Sequence, residues 1–132
     1  MKVRNKNILV LVAIFVSFAS IAFYFFNRNN KTQVTISNKV IDLGEIKIGV
    51  QKKAIFSIKN VGNNDLKIAD VIPDCFCTIP NWEKEPIPPQ KSTNIIIVVN
   101  KDFEGVFQQV VTISCNSKES KHLLVVRGKF IK

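Results

Sequence analysis

The sequence is poor in the side chains that most enzymes use for catalysis. It has one His, His122, one Met, Met1, and five Gly that are all isolated from one another. Imidazole-based zinc sites and Met/His copper sites need more such ligands, and no glycine-rich phosphate loop is present. A Ser–His–Asp triad would have to use His122, which we interpret as a hydrogen-bonded strand residue. We therefore predict a protein that is not an enzyme, with no catalytic residues, bound metal, cofactor or small-molecule substrate.

Arginine is scarce as well. Lys and Arg total 19 against 10 acids, but only three of these cations are Arg. Lys2, Arg4 and Lys6 precede a long apolar run, and the later lysines are scattered. Nucleic-acid-binding proteins favour arginine and clustered cations. We predict no nucleic-acid partner and assign the lysines to solubility and sheet-edge protection. Binding to an anionic envelope polymer is kept as an alternative.

One segment, residues 8–26, has the composition of a membrane span. Of its 19 residues 17 are apolar and none is charged. A helix of that length spans about 28 Å, close to the hydrocarbon thickness of a bilayer. The basic residues before it predict a cytoplasmic N-terminus. We expect a single-pass inner-membrane protein with a basic cytoplasmic tail (1–7), a transmembrane signal-anchor helix (8–26), a linker (27–32) and a periplasmic domain (33–132).

A cleaved signal peptide is the competing interpretation. Ser17-Phe18-Ala19 and Ser20-Ile21-Ala22 both fit a loose small-x-small cleavage pattern. Phe23-Tyr24-Phe25-Phe26 continues the apolar run past either site and suits an interfacial anchor, which favours the uncleaved form. Both interpretations export the remainder of the chain.

The exported part has the composition of a β domain. Residues 27–132 contain 27 Ile and Val but only four Leu and two Ala. Branched side chains favour strands, and short β runs alternate with turn signals about every 8–12 residues. The predicted strands are Gln33–Ser37, Val40–Asp42, Lys53–Lys59, Leu66–Ile72, Thr93–Asn100, Phe107–Cys115 and His122–Ile131. About seven strands without a helix predict an all-β, two-sheet sandwich, with a small barrel as the alternative.

Several motifs in this part resemble a known family. They are Asp42-Leu43-Gly44-Glu45-Ile46, Asn60-Val61-Gly62, Asp74-Cys75-Phe76-Cys77-Thr78, Pro86-Ile87-Pro88-Pro89 and Val125-Val126-Arg127-Gly128. Together they resemble the bacterial envelope family known as domain of unknown function 1573, over about residues 34–130. The resemblance implies an Ig-like antiparallel β-sandwich, exported, of the Bacteroidota type, with no known reaction. The family usually has Gly between the two cysteines and Gly after the Pro before the next strand, where this chain has Phe76 and Pro89-Gln90.

The three cysteines, Cys75, Cys77 and Cys115, are the strongest candidates for chemistry. In an extended strand Cys75 and Cys77 would share a face with Cα atoms about 6.6 Å apart, so a bond between them needs a local bend. Cys115 is predicted to point inward and offers a second bonding partner for either thiol. We favour a structural role for the pair over a redox-active pair or a soft-metal site for Cu(I) or Zn.

Two functions follow as hypotheses. The favoured one is a non-enzymatic, membrane-anchored binding or scaffold module for an unidentified envelope protein. Phe76 and Trp82 are its candidate contact residues, although both are equally suited to packing the loop onto the core. The alternative is a thiol-redox or soft-metal-handling accessory protein acting through Cys75 and Cys77.

Overall fold

The computed structural model describes residues 2–27 and 31–132. Helix α1 runs from Lys2 to Asn27 and forms one unit, and residues 31–132 form a second compact unit with their own core. The residues predicted as a tail are therefore helical from Lys2 onward, whereas Met1 and residues 28–30 of the predicted linker lie outside the described residues. Thr32, the last residue of that linker, is buried in the β unit and bridges to Ser117.

The helix has the length and composition of a membrane anchor or a signal sequence. Its segment Lys6–Phe25 is apolar enough to cross a membrane, and that segment is exposed along its whole length. The two serines within it do not leave polar atoms unpaired. Ser17 Oγ donates to the Ala13 carbonyl at 2.9 Å and Ser20 Oγ to the Val16 carbonyl at 2.8 Å.

The β unit is a sandwich of two four-stranded sheets, which confirms the predicted fold class. Its eight strands are β1 Val34–Ile36, β2 Val40–Lys47, β3 Lys52–Asn60, β4 Ile68–Pro73, β5 Thr78–Asn81, β6 Ser92–Val99, β7 Gly105–Cys115 and β8 Lys121–Ile131. One sheet has the order β1-β3-β6-β5 and the other β2-β8-β7-β4. The chain thus changes sheets between β1 and β2.

Alternating inward side chains of both sheets make the core. Ala54, Phe56 and Ile58 all point inward from β3, as the alternation predicts. The ring of Phe107 on β7 lies 5.1 Å from that of Phe130 on β8. The inner faces of the two sheets pack into one continuous hydrophobic cluster. The alternation of apolar and polar residues along the strands therefore predicts which side of each sheet faces the core.

Three details differ from the prediction. First, β2 pairs with β8 in parallel, so the sandwich is not wholly antiparallel. Second, β2 continues past the predicted Val40–Asp42 to Lys47, with a bulge at Leu43-Gly44-Glu45, where Gly44 adopts φ +65°. Third, the segment between the predicted strands Leu66–Ile72 and Thr93–Asn100 contains an additional short strand, β5. Pro80 obscured it, because proline is compatible only with an edge position in a sheet.

Candidate functional site

Three loops meet at one end of the sandwich, which we call the apex. Lys52 at the start of β3 and Thr78 at the start of β5 both pair with Val99 at the end of β6. The loops 48–51, 74–77 and 100–104 therefore lie at the same end. The opposite end, the base, holds Thr32 and the loops 61–65 and 116–120, because Thr32 bridges to Ser117.

A disulfide closes the central apical loop. Cys75 and Cys77 are bonded to each other with Cα atoms 5.3 Å apart. The Thr78 amide donates to the Cys75 carbonyl at 3.2 Å and the Asp74 amide to the Val110 carbonyl at 3.0 Å. The turn is therefore fastened to both sheets, and it supplies the local bend that a bond between two near neighbours requires.

Phe76 stands at the tip of this closed turn and is fully exposed to solvent. Each of the other two apical loops also exposes an apolar side chain, Val50 and Phe103. The Lys101 ammonium lies 4.9 Å from the centroid of the Phe103 ring, within cation–π range. The apex thus presents apolar groups together with a cation, which is unlike an ordinary polar loop end.

Trp82, the second predicted contact residue, is placed differently. Its indole is half-buried and packs against the core. The Lys84 ammonium lies 3.1 Å from the ring centroid, and Trp82 Nε1 is buried without a hydrogen-bond partner among the described residues. Of the two predicted contact residues, only Phe76 is therefore freely available to a partner.

Cys115 lies at the base, at the far end of β7 from the apex. It is a free, buried thiol with its Sγ 3.2 Å from Ser117 Oγ. The structure thus holds the bond between Cys75 and Cys77 rather than the alternative bond to Cys115. No group of three or more His, Cys, Asp or Glu side chains within residues 2–27 and 31–132 is placed to hold a metal ion.

His122 belongs to a small polar cluster that we did not predict. Its Nε2 lies 2.9 Å from Ser117 Oγ, and its Nδ1 lies 3.7 Å from the Glu119 carboxylate. These distances are similar to those between the serine, histidine and acid of a catalytic triad. However, Ser117 donates its hydroxyl proton to the Glu119 carbonyl rather than to His122. Ser117 is 2% exposed. The cluster fastens the β7–β8 turn and does not present a nucleophile.

A charged pair fixes the bulge at the edge of the second sheet. Asp42 Oδ1 accepts from the Gly44 amide at 2.9 Å, and Oδ2 accepts from Arg127 Nε at 3.0 Å. The Gly44 amide, and after it the Arg127 guanidinium, hold the pKa of the Asp42 carboxyl below its ordinary value. Both side chains are exposed, so the pair orients the edge of β2 and adds little stability.

The fold is a two-sheet β-sandwich whose apex carries a disulfide-closed turn with an exposed aromatic side chain. The sequence pattern of a family described as protein of unknown function (DUF1573) matches residues 34–130. The chain belongs to that family. No curated protein sequence matches the chain.

Solved structures show the same fold at low sequence identity. A protein of unknown function from Porphyromonas gingivalis W83 is 20% identical with a TM-score of 0.68, over 76% of this chain and 47% of that one. This chain therefore spans about half the length of that protein. The ASH/PapD-like domain of human CEP192 is 16% identical with a TM-score of 0.65, over 80% of this chain and 89% of that one. The sandwich is thus similar to the PapD-like type.

Proposed function

We propose that this protein is a single-pass, membrane-anchored binding module of the cell envelope, without enzymatic activity, that contacts a protein partner through its apex. The exposure of Phe76 is the observation that carries the proposal. Burying a Phe side chain in an interface is worth about 1.5–3 kcal/mol relative to leaving it in water. The disulfide restrains the backbone of the turn that carries Phe76, so less backbone conformational entropy is lost on binding.

The helix and the disulfide support the envelope location. The basic residues before the helix favour export of residues 31–132, and the apolar run past Ala22 favours an uncleaved anchor. A disulfide between half-buried cysteines is typical of proteins in oxidising compartments.

Crosslinking in cells tests the apical contact. The full chain would carry the photoreactive residue p-benzoylphenylalanine in place of Phe76, or in place of Leu123 as a control that is exposed on β8, away from the apex. We expect one discrete protein adduct from position 76 and none from position 123. Equal adducts from both positions, or none from position 76, would refute contact through the apex.

A thiol-redox role is the second candidate, and the half-buried disulfide beside an exposed aromatic favours it. The double variant Cys75→Ser/Cys77→Ser separates the two functions when it is compared with Phe76→Ala. A redox protein loses its phenotype in the Ser variant and keeps it in the Ala variant. A binding module shows the opposite pattern, losing its phenotype in the Ala variant and keeping it in the Ser variant.

A further inference from the structure

The outward face of the first sheet carries an apolar patch that the core does not use. On this face Ile55 of β3 pairs in register with Ile96 of β6, and Val98 of β6 pairs with Ile79 of β5. Ile79 is 62% exposed and Ile55 is 55% exposed. We define the β3–β6–β5 face as these four residues with their two flanking lysines: Lys53, Ile55, Lys59, Ile79, Ile96 and Val98.

The charge on this face has one sign. Lys53 lies in the row of Val98 and Ile79, next to the Ile55 row, and Lys59 lies on the other side of Ile55, beyond Ser57. The remaining outward positions on β3, β5 and β6 hold Ser and Asn. Neither lysine belongs to an ion pair among the described residues. The nearest acid along β5, Glu83, accepts from Thr93 on the inward row of β6. The patch is therefore apolar at its centre and cationic at its rim.

The outward face of the second sheet differs in this respect. It also exposes aliphatic groups, with Val40 and Leu123 about half exposed. Its cations have acids in register, because Arg127 bonds Asp42 at 3.0 Å and Lys129 is paired with Glu45. Lys121 lies in one row with Ser114 and Asp70. Aliphatic side chains beside lysines with no acid in register are thus a property of the β3–β6–β5 face.

Resting on the proposed function, we infer that the β3–β6–β5 face is the docking surface for an acidic protein segment with an apolar centre. Carboxylates at the rim of that segment would meet Lys53 and Lys59 while its apolar groups cover Ile55 and Ile79. A second copy of this chain would bring lysines against lysines, so self-association is disfavoured. A lipid surface would favour protruding aromatic side chains, whereas this face is a flat sheet of aliphatics.

Site-specific crosslinking of the full chain in cells tests this surface. p-Benzoylphenylalanine would replace Ile79, with Leu123, which is 56% exposed, as the matched control. Each linked segment would be identified by mass spectrometry. We expect Ile79 to link to a segment rich in Asp and Glu, and Leu123 to give no adduct. Lys53→Glu/Lys59→Glu should lower the Ile79 adduct by about tenfold or more, and Lys121→Glu/Lys129→Glu should not.

Other outcomes overturn the inference. They are an adduct to lipid, to a second copy of this chain or to a basic segment, equal adducts at Ile79 and Leu123, or insensitivity to the Lys53/Lys59 reversal. Resistance of each variant to added protease shows whether it is folded. An adduct at Phe76 without one at Ile79 would refute this surface and leave the proposed function standing. The absence of an adduct at Phe76 would refute the proposed function itself, whatever position 79 gives.

Discussion

Replacement of Asn60 by Ala is expected to be among the most destabilising single changes in the β unit. Asn60 is fully buried at the end of β3, and its side chain makes four hydrogen bonds. Oδ1 accepts from Thr32 Oγ1 at 2.7 Å and from the Gly62 amide at 3.0 Å. Nδ2 donates to the carbonyls of Asn64 and Ile87, both at 2.8 Å. One amide thus joins the segment before β1, the β3–β4 turn and the β5–β6 connection.

The magnitude follows from the groups that the change leaves unpaired. The Thr32 hydroxyl and the Gly62 amide lose their acceptor, whereas the Ile87 carbonyl keeps a second bond from the Leu66 amide at 2.9 Å. Two orphaned buried donors at about 1–3 kcal/mol each, with a small cavity, give a loss of about 3–5 kcal/mol. This loss is a large part of the unfolding free energy of about 5–15 kcal/mol that is typical of a domain. It would lower Tm by roughly 15–30 °C.

Urea unfolding of the full chain in detergent micelles measures this loss. Trp82 is the only Trp in the sequence and packs against the core, so its fluorescence reports unfolding of the β unit. Asn94→Ala, at an exposed position on β6, serves as the control and should change stability by less than about 0.5 kcal/mol. A loss below about 1 kcal/mol for Asn60→Ala would show that the amide does not join these segments.

Three further changes have expected outcomes. Gly62→Ala should destabilise by about 2 kcal/mol or more in the same unfolding assay, because the added Cβ would lie 2.0 Å from Thr32 Oγ1; an unchanged midpoint would contradict the packing. Gln90→Gly should raise stability by up to about 1 kcal/mol, because Gln90 holds φ 65°; a loss would show that its side chain matters more than its backbone. Asp42→Asn should remove a small stabilisation that the wild type has above the ordinary carboxyl pKa of 3.8. The pKa of Asp42 is lower in the folded than in the unfolded protein, so the difference in unfolding free energy between wild type and variant should vanish as the pH falls through the folded pKa. A difference that persists at still lower pH would exclude the Asp42 carboxylate as its source.

The sequence predicted most of the layers of the fold because their cause is local. Successive side chains of a β-strand point to opposite faces, and inward residues alternate with outward ones along β3 and β7. The inward positions of Phe56 and Cys115 could therefore be predicted without knowledge of the partner strands. The Asn60-Val61-Gly62 motif has the composition of a turn. Its role as a buried junction became visible only when Thr32, distant in sequence, was seen to pack against it.

The parts that could not be predicted depend on contacts between distant segments. The parallel pairing of β2 with β8 leaves no local signal, because it is set by which edge the chain reaches after it changes sheets. The meeting of Val50, Phe76 and Phe103 at one apex depends in the same way on the strand order. Positive φ at Gln90 had a partial signal, since the family usually has Gly where this chain has Pro89-Gln90.

Counting the free thiols of the protein as it exists in cells tests the central claim most directly, namely an exported domain with a disulfide-closed apical turn. The full chain would be isolated without reductant, alkylated under denaturing conditions, and its intact mass and peptides measured. The account predicts one label, on Cys115, and three labels after reduction, because Cys75 and Cys77 are bonded to each other. Three labels without reduction, or a bond that includes Cys115, would contradict it.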